Sequence, residues 1–330
     1  MSRILITGAS GFLGRALAAR LRADGDAVVG IDRIADAASD VVAGDTTDPD
    51  PWRARLDGCD AVLHTAAVVS NAVDHESQWR VNVLGTQRVF AAARAAGVPR
   101  VVLLSSVRAF GDTGFPDGVT EEHPVRPDGN PYVDTKIASE HVALQAHAAG
   151  GIEAVVVRPG DVYGPGSVPW VLKPLDAIRG GQFLLPAMGR GIHSPVYVDD
   201  LVDGTVRALR SPAAAGEVFT LAGPRGVRSD EYFGYLYAML GKRGPLGIPT
   251  PLAVALAHAA DAANRARGRR NEVNAISMRY LARRGTYSSA KARRVLGYAP
   301  AVELEEGMRR TEAWLRAEGL LPTPPTTTEA

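Results

Sequence analysis

Arg3-Ile4-Leu5-Ile6-Thr7-Gly8-Ala9-Ser10-Gly11-Phe12-Leu13-Gly14 decides the fold of this 330-residue chain. Its first five residues read as a short buried strand, and the glycine-spaced turn leads into a helix running through Leu17 and Leu21. Glycines let the backbone turn tightly and approach a pyrophosphate, while the helix N-terminus offers free N–H groups and a positive dipole end. The spacing is Gly-x-x-Gly-x-x-Gly, not Gly-x-Gly-x-x-Gly. A second strand, Ala27 to Ile31, ends in Asp32, about 20 residues beyond the glycines, where a carboxylate meets ribose hydroxyls.

Strands and helices go on alternating for over half the chain. Val41 to Ala43, Val101 to Ser105 and Glu153 to Arg158 are further strand candidates, the last two near-continuous apolar runs suited to a parallel sheet covered on both faces. Helices are expected from Gln78 to Ala96 and from Tyr132 to Ala149. The fold class is therefore α/β, a Rossmann-type doubly wound parallel sheet. Pro165, Pro169, Pro174 and Pro186 break this regularity, and sheet-like material returns at residues 194–209 and 217–221. The expected division is a dinucleotide-binding domain of residues 1–165 and 192–223 and a smaller, discontinuous substrate-binding part of residues 166–191 and 224–320. The Pro/Thr tail, residues 321–330, is expected to be disordered.

Composition narrows the function classes. With 37 basic and 36 acidic residues the net charge is +1, so no global field points to nucleic acid or an acidic membrane. Cys59 is the one cysteine, which excludes an intramolecular disulfide and a multi-cysteine metal site; no metal is expected, and a reduced cytoplasm is the natural setting. No targeting segment is expected ahead of the first strand. The apolar run Pro251 to Ala260 is too short to span a bilayer and reads as an alanine-rich helix packed on its own protein.

The chemistry is concentrated in Tyr132-Val133-Asp134-Thr135-Lys136, downstream of Ser105-Ser106. A phenol and an ammonium four residues apart share a helix face, so Lys136 is expected to lower the Tyr132 pKa and make it a proton carrier near neutral pH. Together with the glycine turn, these residues resemble the extended branch of the short-chain dehydrogenase/reductase superfamily. Further matches are Val81-Asn82-Val83-Leu84-Gly85-Thr86, Leu104 to Gly111, Arg158 to Gly166, Pro195 to Leu201 and Ala292 to Pro300.

The resemblance implies a catalytic set of Ser106, Tyr132, Lys136 and Asn82. Tyr132 exchanges the proton of a secondary alcohol or ketone, Ser106 steers the reacting oxygen, Lys136 meets the nicotinamide ribose, and Asn82 organises the site and could anchor a water. It also implies cofactor contacts at Gly8, Ser10, Gly11, Phe12, Leu13, Asp32, Arg33, Asp45, Thr46, Thr65, Ala66, Ala67, Asn82, Tyr132, Lys136, Pro159 and Val162. Asp32 repels a 2′-phosphate and favours NAD over NADP, although Arg33 could pair with that phosphate. His64 reads as a structural histidine at a strand end.

Substrate contacts are expected from Val69, Ser106, Val107, Arg108, Tyr132, Asp161, Trp170, Phe183, His193 and Pro195. Sugar-nucleotide 4,6-dehydratases carry an Asp-Glu pair after the active-site hydroxyl, where this chain has Val107 and Arg108. Epimerases of that kind commonly place an asparagine at Asp161 and a diphosphate-binding arginine at His193, and a carboxylate beside a diphosphate would repel it. Arg108, Arg190 and Arg225 could replace the lost arginine. The sequence is similar to the 3β-hydroxysteroid dehydrogenase and dihydroflavonol reductase branch, which implies a largely apolar small-molecule substrate. The alternatives are a sugar-nucleotide epimerase and a non-catalytic dinucleotide sensor. The family commonly forms homodimers through the helices Gln78 to Ala96 and Tyr132 to Ala149.

Overall fold

The structure is a computed structural model and describes residues 1–268, 272 and 274–321. Six strands follow one another along the chain: β1 (Arg3–Thr7), β2 (Ala27–Asp32), β3 (Val41–Ala43), β4 (Ala61–His64), β5 (Arg100–Leu104) and β6 (Glu153–Pro159). With the strand Val218–Leu221 they form a parallel sheet in the order Val218–Leu221, β6, β5, β4, β1, β2, β3. The chain thus fills one side of β1 with β2 and β3, then crosses over to place β4 on the other. That reversal opens a crevice at the carboxyl ends of β1 and β4, where ligands of such sheets bind.

Alternation along the strands covers both faces. Leu5, Val62, Val101, Leu103 and Val156 pack with Trp52, Leu56, Val89 and Phe90 on one side. Ile4, Ile6, Leu63, Val102, Leu104 and Val157 pack with Leu17, Leu21, Leu201 and Val202 on the other. Each fully buried aliphatic side chain contributes about 1.5–3 kcal/mol of hydrophobic stabilisation.

The helix expected from Gln78 to Ala96 is not a regular one. It begins at His75–Trp79, widens into a π-helical stretch at Arg80–Gly85 and returns to α geometry at Thr86–Ala95. Such widenings often mark functional positions. Here the widened turn buries Asn82, whose amide spans two elements: its Oδ1 accepts from the Val68 N–H at 2.7 Å, and its Nδ2 donates to Thr135 Oγ1 at 3.0 Å. Gly85 fits the same turn, since a Cβ there would lie 2.8 Å from Thr46 Oγ1.

The helix Pro131–Ala148 starts with Asn130, whose side chain accepts from the Tyr132 N–H at 3.0 Å, followed by Pro131 in the first turn. Sequence reasoning placed the alanine-rich run on the protein's own surface. In the structure the helix Thr250–Arg265 buries only Ala253 and Ala257, and leaves Leu252 49% and Leu256 47% exposed. Most of its apolar side chains are alanines, which have little area to bury. Among the described residues, no helix is long and apolar enough to cross a membrane. The tail expected to be disordered lies, beyond Leu321, outside the described residues.

Candidate active site

The glycine turn and β4 build the nucleotide half of the crevice. Gly8 adopts φ +73°, and a Cβ there would lie 2.8 Å from both the Thr65 hydroxyl and the Ala66 nitrogen, so only glycine lets the two strand ends come this close. Gly11 caps the helix Phe12–Ala23, and its N–H donates to the Gly8 carbonyl at 3.0 Å. Asp32, at the end of β2, accepts from the Ser10 N–H at 2.9 Å, which ties the carboxylate to the turn. The Arg33 N–H donates to the same carboxylate at 2.7 Å, while its side chain is exposed.

Thr46 is buried beside Asp45, whose carboxyl is lowered by the Thr47 N–H. Thr65 donates its hydroxyl to the Thr7 carbonyl at 2.8 Å, and Ala66 and Ala67 continue the same edge. Pro159 ends β6, and Val162 lies in the short strand Asp161–Tyr163 just beyond it. A bare backbone cradle at a helix N-terminus with a ribose-height carboxylate beside it fits a dinucleotide.

The reacting half hangs on β5 and the helix Pro131–Ala148. Lys136 is buried, and its Nζ donates to the Leu104 carbonyl at 2.7 Å. Ser105 donates its hydroxyl to Glu140, which also holds Arg158 through bonds of 2.9 and 2.6 Å. This buried network fixes the strand end that carries Ser106, and sequence reasoning missed Glu140 altogether. His64 is neutral, as burial and the nearby Lys136 lower it to about 3; its Nδ1 lies 2.6 Å from Thr7 Oγ1 and its Nε2 2.9 Å from Thr86 Oγ1.

Tyr132 and Lys136 both lie buried on the helix Pro131–Ala148. Burial pushes the Tyr132 phenol above its ordinary value, and the opposing pull comes from Arg108 and Ser106. Lys136 Nζ is 6.0 Å from the Tyr132 ring centre and turned toward a backbone carbonyl, and burial brings its own pKa down to about 8.

The wall on the substrate side differs from the expected set. Arg108 lies 5.2 Å over the Tyr132 ring and 4.6 Å over that of Tyr280. Its guanidinium is held by Asp112, with Nε at 2.6 Å, and by Asn71 Oδ1 at 3.1 Å. Val107 does not line the site but packs in the core with Phe110, Val119 and Tyr287. Asp161 does not face the site as a free carboxylate: it pairs with Arg283, accepts from the Tyr280 hydroxyl and lies 3.5 Å from His193 Nδ1. Against the cost of burial, Arg283 and these neighbours hold its carboxyl well below the usual range.

His193 is enclosed, stacked on Tyr232 with ring centres 5.7 Å apart, and burial lowers its pKa. Trp170 stands edge-on to His193 at 5.2 Å and 6.0 Å from Tyr280. Phe183 packs one layer further back against Phe233 at 4.7 Å, Pro195 is buried, and Val69 is exposed. Of the arginines offered as replacements, Arg190 is exposed and Arg225 pairs with Glu231. Arg283 was missed because nothing in its local pattern points to a carboxylate 122 residues away.

Residues 4–222 match the profile of the NAD dependent epimerase/dehydratase family. Over 319 residues the chain is 33% identical to a 4-hydroxy-2-methyl-3-oxo-4-farnesyl-3,4-dihydroquinoline-1-oxide ketoreductase of Stigmatella aurantiaca, covering 93% of this chain and 94% of that one. It is 28% identical to 3beta-hydroxysteroid-dehydrogenase/decarboxylase isoform 2 of Arabidopsis thaliana over 82% of this chain and 51% of that protein, so it spans about half that relative's length. Among solved structures it is similar to MoeE5 in complex with UDP-glucose and NAD, with TM-score 0.77, 26% identity and coverage of 96% and 99% of the two chains.

Proposed function

The chain belongs to the NAD dependent epimerase/dehydratase family, which makes NAD its cofactor, and on that premise we propose that it interconverts a secondary alcohol and a ketone on a largely apolar small molecule. The observation that carries this reading is Tyr280, which lies across Arg108 from Tyr132, with the partly exposed Trp170 beside it and the buried Tyr232 and His193 packed behind as support. Such a surface holds an apolar skeleton by buried area and leaves orientation to a few polar groups. The 33% identical relative, named for a farnesylated ketone, supports the same class.

Tyr132 takes the hydroxyl proton of the alcohol in oxidation and returns it in reduction. Ser106, next to Tyr132 at the end of β5, hydrogen-bonds the reacting oxygen and fixes its approach. Bound NAD supplies the hydride acceptor. Asp32 would hold the adenosine ribose, Lys136 the nicotinamide ribose, and the Gly8–Gly11 turn the pyrophosphate. Asn82 keeps the helix carrying Tyr132 in register with the loop at Val68.

A second reading, a sugar-nucleotide epimerase, is favoured by one observation. Arg283 compensates the charge of Asp161, so that carboxylate does not repel a diphosphate as the sequence suggested. A panel of sterols, aryl ketones and UDP- and dTDP-sugars, followed by absorbance of reduced nicotinamide and by calorimetry on the NAD-bound protein, separates the two. Micromolar binding of a sugar nucleotide without response to any apolar ketone would overturn the first reading.

We also assign residues 1–165 and 192–223 to cofactor binding and residues 166–191 and 224–320 to substrate binding. Two copies would associate through the helices at residues 75–95 and 131–148, where Trp79 and Leu84 are partly exposed. Light scattering tests that association.

A further inference from the structure

Ten large apolar side chains are exposed among the described residues, and four of them, Met188, Leu246, Leu252 and Leu256, lie on elements joined to one another. The turn that carries Met188 is tied to the segment leading into the helix Thr250–Arg265. The Met188 N–H donates to the Ile248 carbonyl at 3.0 Å, and the Ala187 N–H to Thr250 Oγ1 at 3.1 Å. Leu246 belongs to the same segment, which runs parallel with Leu184–Leu185. Ala187 and Met188 both adopt positive φ, +54° and +55°, a conformation that is costly for a residue with a side chain. The fold thus accepts strain to hold a methionine out toward water.

On the helix, Ala253 and Ala257 face inward and pack with Met278. Leu252, Leu256, Ala259 and Ala263 recur at four- and three-residue steps along the exposed face, a stripe without a charged residue. Charge stands at the two ends of this surface. Residues 242–268 hold four lysine and arginine side chains, Lys242, Arg243, Arg265 and Arg267, against one carboxylate, Asp261, which is paired with Arg265. Arg243 and Arg267 are exposed, and so is Arg190, two residues beyond Met188.

An apolar stripe rimmed by arginines fits the boundary of an anionic bilayer, where apolar side chains enter among the acyl chains and guanidiniums meet lipid phosphates. A second copy of the chain fits less well, because a two-fold contact over this patch would set basic rim against basic rim. The helix also packs on Ala275–Leu281, which carries Tyr280 beside Arg108. An apolar compound leaving a bilayer here is one helix away from the site. Among the described residues no helix crosses a membrane, so the contact is peripheral.

We propose that Met188, Leu246 and the exposed face of Thr250–Arg265 form a peripheral docking surface for an anionic lipid bilayer. The docking does not depend on the substrate; delivery of an apolar ketone from the bilayer to the site rests on the apolar-substrate reading.

The test is flotation of the full chain with NAD bound, on vesicles of phosphatidylcholine alone and of phosphatidylcholine and phosphatidylglycerol in equal parts. Binding is expected to the mixed vesicles only, and it should weaken as salt is raised. Leu252→Asp combined with Leu256→Asp is expected to lower the affinity by about tenfold or more, and Arg267→Gln by about fivefold. Ile34→Asp, at an exposed apolar residue elsewhere, should change nothing. Both leucines are exposed, so the double variant keeps its core, and unchanged NAD binding by tryptophan quenching shows that it is folded. Absence of wild-type binding to the mixed vesicles, or equal binding by the double variant, would overturn the proposal. So would light scattering in which the double substitution splits wild-type dimers while no lipid is bound, which identifies the surface as a contact between copies. If the double variant does not fold, Arg267→Gln and the salt series still decide it: binding that responds to neither rejects the idea. Vesicle binding is read without turnover, so failure of every apolar ketone in the substrate panel would reject the substrate reading and leave this result standing.

Discussion

Lys136 Nζ donates to the Leu104 carbonyl at 2.7 Å, which holds a buried ammonium at the end of β5. The unfolded chain keeps this proton up to about 10.5, whereas burial lets the folded one keep it only to about 8. Charge on Lys136 therefore costs the folded state about 3 kcal/mol at neutral pH, and this cost fades as pH rises from about 8 toward 10.5. Lys136→Met removes the charge and one carbonyl bond worth about 1 kcal/mol, for a net gain of about 2 kcal/mol at pH 7. Urea unfolding should show that gain shrinking at pH 10; a variant less stable than wild type at pH 7 would contradict it.

Tyr132→Phe keeps the ring that Arg108 covers and removes only the transferable proton. Turnover should fall by at least a hundredfold, while NAD binding, followed by tryptophan quenching, stays within about twofold by the same reasoning. Retention of a tenth of wild-type turnover would remove Tyr132 from the proton path. Lys136→Ala should weaken both binding and turnover.

Asp32 is anchored by the Ser10 and Arg33 N–H groups at 2.9 and 2.7 Å, and the Arg33 side chain is exposed. NAD should bind more tightly than NADP, and Asp32→Ala should erase that preference. Dissociation constants for both nucleotides check this. Equal binding by the wild-type protein would mean that Arg33 turns onto the 2′-phosphate.

Arg283 and Asp161 form a buried pair, both almost without solvent contact. Arg283→Met should cost about 3–5 kcal/mol because it strands a buried carboxylate, and adding Asp161→Asn should restore part of the loss. Urea unfolding of both variants measures it. A double variant no more stable than the single one would mean that the arginine's packing matters more than its charge.

These contacts also mark how far the sequence could be read. Strand and helix placement followed from local pattern: the alternation in Ile4, Leu5 and Ile6 and the glycines at 8, 11 and 14 carry their own explanation. The spacing of Tyr132 and Lys136 was equally plain, but its consequence was not, because the direction of the Lys136 amine depends on the Leu104 carbonyl of a distant strand. The widening at Arg80–Gly85 was hidden for a related reason: apolar periodicity barely changes when one turn loosens, and the cause lies in what Asn82 binds. The Arg108–Asp112 and Arg283–Asp161 pairs are tertiary facts, and a charged residue in a list of charged residues gives no hint of its partner.

The bonds that fix the proton chemistry run to the sheet and its own helices: Lys136 to Leu104, Ser105 and Arg158 to Glu140, Asn82 to Val68 and Thr135. The aromatic wall is assembled from Trp170, His193, Tyr232 and Tyr280, later in the chain. A scaffold divided in this way can change what it recognises without relearning its reaction. For an engineer, libraries confined to the partly exposed Trp170 and its surroundings would vary what is recognised on a constant catalytic base, and the same division lets a lineage of such proteins diverge in what it binds while keeping its chemistry.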